Sequence, residues 1–108
     1  MKIWDVENNF YLNSDKTRLN KVISQFEIFK KSIAVKGAIV ECGVFKGASL
    51  VRLLTYRDLL GKPQKKTIGC DPFGKFPKQK ATDDKKFALN HDKNTGLGIS
   101  VKKLTKLL

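Results

Sequence analysis

The segment Glu41-Cys42-Gly43-Val44-Phe45-Lys46-Gly47 sets a carboxylate two residues before one glycine and six before another. Gly43 allows a tight turn and close approach of a ligand to the backbone, and Gly47 allows a helix to start close against a sheet. The helix start adds partial positive charge and free N–H donors. A phosphate-cradling loop needs Gly-x-x-x-x-Gly-Lys-Ser/Thr; here the glycines are one residue too close and Ala48-Ser49 follows. A dinucleotide fingerprint, Gly-x-Gly-x-x-Gly, fails too, because Glu41 and Lys46 stand where its outer glycines belong. A carboxylate at a strand end repels a pyrophosphate and suits a ligand with an ammonium group. S-adenosylmethionine has such an amino group, a cationic sulfonium and no phosphate. Asp71 falls 24 residues after Gly47, where an acid in a βαβ nucleotide site accepts hydrogen bonds from ribose hydroxyls. Glu41 and Asp71 would then grip the two polar ends of one nucleoside ligand. The same glycines also suit a bare strand-turn-helix junction, and spacing alone does not choose between these readings.

The remaining chemistry-bearing residues point elsewhere. Cys42 and Cys70 form no disulfide framework and no metal-ligand spacing, and each closes an apolar run, so they are expected as buried thiols packing as small hydrophobes. His91, the single histidine, has no orienting partner in its sequence neighbourhood and is expected on the surface rather than as a base. Trp4, Phe10 and Tyr11 are expected in core or lid packing. Residues 55 to 108 carry 13 Lys and Arg against 5 acids. Such a basic stretch can bind nucleic acid through phosphates, but it is mostly lysine and belongs to no recognisable binding module, so a solvated surface is the expectation, with a basic nucleic-acid-binding module or a nonfunctional truncated remnant as the alternative functions.

These residues need elements to position them. Leu19, Val22, Ile23, Phe26, Phe29 and Ile33 recur in steps of three and four and predict a helix over 17–33, capped by Ser14 or Asp15. The first dozen residues show no clear period. Ala38–Cys42 reads as a short strand buried on both faces of a parallel sheet. Ala48–Leu60 reads as a helix stopped by Gly61 and Pro63, and Lys66–Cys70 as a second strand. Together they predict one right-handed βαβ unit. A polar loop to Thr82, a short helix over 84–90, a loop over 94–98 and a last helix capped by Ser100 complete the reading.

The fold class expected is α/β, the N-terminal half of a Rossmann-like doubly wound parallel sheet. Residues 1–36 are expected to form a helical segment ahead of it and residues 37–108 the partial sheet domain, which would bind S-adenosylmethionine if the ligand reading of the glycine turn holds. Two parallel strands leave an open edge, and the last helix ends with its apolar stripe still running. A C-terminal half, or a second copy in a homo-oligomer, is expected to complete it. The chain has 108 residues and a net charge of +12, with 41% hydrophobic and 30% charged residues, which excludes a disordered chain. No apolar run reaches the length of a membrane span, and the first nine residues carry acids and amides where a secretory signal is apolar, so a cytoplasmic location is expected.

Val40-Glu41-Cys42-Gly43-Val44-Phe45-Lys46-Gly47-Ala48-Ser49, followed by Gly69-Cys70-Asp71-Pro72-Phe73-Gly74-Lys75-Phe76-Pro77, resembles the macrocin O-methyltransferase family (TylF/MycF-type) over about residues 9 to 105. Its first motif reads like Val-Glu-Cys-Gly-Val-x-x-Gly-x-Ser and its second like Asp-x-Phe-x-Gly-x-Pro. Here the second departs, since Gly74 follows Phe73 directly and Lys75 precedes Phe76. The resemblance implies a class I S-adenosylmethionine-dependent enzyme that methylates a hydroxyl of a sugar-like acceptor by in-line attack. It implies that Glu41, Gly43 and Gly47 line the methionine end of the cofactor, that Ser49 adds a hydrogen bond at the helix start, and that Asp71 takes the ribose. The family's Mg²⁺-binding aspartates and its base lie in the second half of its domain. No catalytic or metal-binding residue is therefore assigned here, and the 108-residue chain alone is expected to lack turnover.

Overall fold

In the computed structural model, residues 2–108 are described; Met1, the first residue of the expected lead-in, lies outside them. The chain divides into an N-terminal unit ending at Val35 and a C-terminal unit, Lys36–Leu108. The first holds helices α1 (Ile3–Asn13) and α2 (Lys16–Ser32). The second holds β1 (Ile39–Cys42), α3 (Ala48–Leu59), β2 (Thr67–Cys70), α4 (Thr82–Thr95) and α5 (Val101–Thr105). The architecture is mixed α/β, and no described helix is long and apolar enough to cross a membrane.

Helix α1 forms over residues that show no clear apolar period and has no buried face. The stretch contains no glycine or proline to break a helix, Asp5 sits favourably in the first turn, and Asn13 donates to Asn9 one turn back at 2.9 Å. None of its residues is buried, Trp4, Phe10 and Tyr11 included, so those rings are surface groups rather than core. Helix α2 starts at the expected cap: the Asp15 carboxylate accepts from the Thr17 backbone N–H at 2.7 Å. Phe29 is buried on its predicted face, whereas Leu19 and Ile23 are exposed.

The Thr17 side chain and backbone N–H hold the Asp15 carboxyl below its ordinary value. A group with a depressed folded pKa contributes stability above its unfolded pKa and loses it as pH falls through the folded one. The α2 start should therefore fray only below the ordinary aspartate range. A pH titration followed through the Asp15 carboxyl carbon and the Thr17 amide should give one shared, depressed midpoint. An ordinary midpoint for both would mean the cap does not form.

Strands β1 and β2 pair in parallel, with Ile39 opposite Thr67, Val40 opposite Ile68, Glu41 opposite Gly69 and Cys42 opposite Cys70. β1 was expected to be buried on both faces; instead it alternates half-buried and exposed, with Val40 and Cys42 exposed. The physical reason is coverage. A Cβ on Gly69 would meet Val44 Cγ2 at 2.9 Å and Leu50 Cδ2 at 3.0 Å, so Val44 and Leu50 lie against that face. Successive residues of a strand point to opposite faces, so Val40 and Cys42 take the other, uncovered one. Cys42 and Cys70 are both exposed, which corrects their expected burial.

The core of this unit sits around the glycine turn. Val44, Leu50, Ile99 and Leu104 are buried together, with Phe73 packed against them. Ser100 caps α5 as expected, its hydroxyl accepting from the Lys103 N–H at 3.3 Å. Of the predicted apolar stripe only Leu104 is buried; Val101, Leu107 and Leu108 are exposed. Helix α4 runs well past the expected 84–90. Nothing breaks it before Gly96, and the pairs Asn94–Asn90 and Thr95–His91 carry the helical spacing onward.

Candidate functional site

At the carboxyl ends of β1 and β2 the chain turns sharply twice. Gly43 has φ +90° and its N–H donates to the Cys70 carbonyl at 2.7 Å, while Gly47 has φ +86° and donates to Val44 O at 2.9 Å. Phe45 and Phe73 also take positive φ, 51° and 56°. For a side chain with a Cβ that geometry costs roughly 1–2 kcal/mol each, and such strain gathers at ligand sites. Asp71 ties both strained residues. One carboxylate oxygen accepts from the Phe45 N–H at 3.5 Å and the other from the Phe73 N–H at 3.4 Å. Both bonds are long, so each oxygen keeps capacity for a second, shorter one.

Beside these turns lies a cavity of about 220 Å³, walled by Gly43, Phe45, Asp71, Phe76, His91 and Gly98, among others. Pro72, Gly74, Lys75 and Asp92 complete it. Drug-sized pockets span about 300–1,000 Å³, so this one has room for only part of a ligand of that size. The His91 ring meets Phe45 and Phe76 edge to face, with centroids 5.4 Å and 5.1 Å away. Its Nδ1 lies 3.8 Å from Asp92 Oδ1 and 3.2 Å from the Thr95 hydroxyl.

The expected site residues divide. Gly43 and Asp71 are brought together as cavity walls. Glu41, Gly47 and Ser49 are not among them. Gly47 is buried under α5, and a Cβ there would meet Leu104 Cδ1 at 3.0 Å. Ser49 is half-buried in the first turn of α3. Glu41 is half-buried opposite Gly69, and its Oε2 is buried with no hydrogen-bond partner. A buried carboxylate oxygen without a donor is costly.

His91 was expected on the surface without a partner. It is instead partly buried and packed by aromatic rings. The signal was present in the sequence: Phe87, His91 and Thr95 follow at steps of four along one helix face. A helix ending at Asn90 hid it. Among the described residues no group of three or more His, Cys, Asp or Glu side chains is placed to hold a metal ion. Comparison with protein-family models, with curated proteins and with solved structures finds no match.

Proposed function

We propose that this chain is the S-adenosylmethionine-binding portion of a Rossmann-like O-methyltransferase acting on a hydroxyl of a sugar or another small molecule. One observation carries the reading: Gly43 and Asp71, from the carboxyl ends of two adjacent parallel strands, wall the same cavity. That is where α/β sheets bind nucleotide ligands.

The residues present suit the cofactor in two respects. The unsaturated Asp71 carboxylate can accept from two ribose hydroxyls. Phe45, Phe76 and His91 offer ring surfaces to a planar base. Glu41 lies outside the cavity walls with its Oε2 buried, so the contact proposed for it with the ligand's ammonium group rests on the sequence motif alone. A Cβ at Gly43 would meet nothing within 4 Å, which leaves the backbone there open to close approach. When bound, the cofactor supplies an electrophilic methyl group. The described residues hold no oxygen-ligand cluster for Mg²⁺, and no step is assigned to it.

Calorimetric titration of the full chain with S-adenosylhomocysteine, beside a Glu41→Ala and Asp71→Ala double variant, tests this. Hydrogen bonds to charged groups contribute about 1.5–3 kcal/mol each, so the variant should bind at least about a hundredfold more weakly. Saturable 1:1 binding with that loss supports the proposal. A folded chain that takes up no ligand, or a variant that binds equally well, overturns it.

A further inference from the structure

Cys42 and Cys70 are 28 residues apart in the sequence, yet they stand directly opposite each other across the parallel pair. Both are exposed. Register partners in neighbouring strands project to the same face, so the two thiols stand side by side on the uncovered side of the sheet. Val40 and Ile68, two residues back and also register partners, form an apolar floor beside them.

We infer that Cys42 and Cys70 form a two-thiolate site for a soft monovalent metal ion, Cu(I). Adjacent strands lie about 4.8 Å apart, a spacing within the Cα range of a disulfide and also close to the roughly 4.6 Å between two sulfurs that share one metal ion through bonds of about 2.3 Å, as found for zinc. Both thiols are free, which is the form that binds a metal. Ligand number selects the ion. Structural zinc takes four ligands, and calcium and magnesium take oxygen. Here the described residues supply no third His, Cys, Asp or Glu to such a cluster, and two thiolates alone suit a soft ion of low coordination number. On binding, two S–H bonds release protons to solvent and two Cu–S bonds form, with no change of oxidation state. The inference does not depend on the methyltransferase reading.

The test is anaerobic titration of the full chain with Cu(I) against the chromophoric chelator bicinchoninate. One Cu(I) per chain is expected, with Cys42→Ser and Cys70→Ser each weakening capture on the order of a hundredfold or more, since losing supporting groups outside the ligand set already costs 10–100-fold. No capture, one ion per two chains, or a single variant that keeps full affinity overturns the assignment. A second measurement uses the unsubstituted chain, so it does not rely on the variants folding. Phenylarsine oxide bridges paired thiols with loss of one water, and the intact mass in native buffer should show one arsenical per chain. Absence of that adduct overturns the pairing.

Discussion

Leu104→Ala should lower the unfolding free energy by about 2–5 kcal/mol, the usual cost of a cavity left by a buried leucine. The size of the effect follows from how few side chains are buried around the turn. Leu104 is 6% exposed and is one of four buried residues, with Val44, Leu50 and Ile99, that close around it. Whole domains are stable by only about 5–15 kcal/mol, so this one truncation removes a large part of what holds the unit. Leu107→Ala is the matched control: three residues on, 61% exposed, it should change stability by less than about 0.5 kcal/mol. Urea unfolding of both variants reads the difference directly. Equal effects would mean that α5 does not close the core.

Gly47→Val should be similarly damaging, for two separable reasons. The backbone there has φ +86°, a conformation that costs a residue with a Cβ roughly 1–2 kcal/mol. The added Cβ also meets Leu104 Cδ1 at 3.0 Å, with Ile99 behind it at 3.8 Å, and overpacking of this kind costs about 1–3 kcal/mol. The total expected is about 2–5 kcal/mol. Gly61→Val isolates the first reason. Gly61 has φ +69° but nothing within 4 Å of a Cβ, so only the backbone cost should appear. If the two variants lose the same stability, the contact of the glycine turn with α5 contributes nothing.

The same turn presents Gly43 to the cavity and points the Phe45 N–H at the Asp71 carboxylate. Val44 is buried beneath it, and Ile99 donates its N–H to the Phe45 carbonyl at 2.6 Å. Stability of the α5 contact and shape of the candidate site are thus one packing problem. Both Leu104→Ala and Gly47→Val should weaken any ligand bound beside Asp71, although neither residue is a cavity wall.

What the sequence determined by itself is local. Asp15 and Ser100 cap their helices with bonds spanning two or three residues, Gly61 and Pro63 end α3, and the apolar runs before Cys42 and Cys70 become strands. Each depends on neighbours along the chain, so residue type and spacing suffice. That Gly43 and Asp71 would share one cavity was legible for the same reason: each directly follows the last residue of its strand, and strand ends in a βαβ unit share one side.

Tertiary structure decided the rest. Register set Glu41 against Gly69, on the face that Val44 and Leu50 cover, and Cys42 against Cys70. A slip of one residue would exchange every face. Single-sided coverage turned two expected buried thiols into exposed ones. His91 reached the cavity because α4 continues past Asn90 and brings its ring onto Phe45 and Phe76. Those contacts join residues up to 46 positions apart, and only the packing of distant segments against one another creates them.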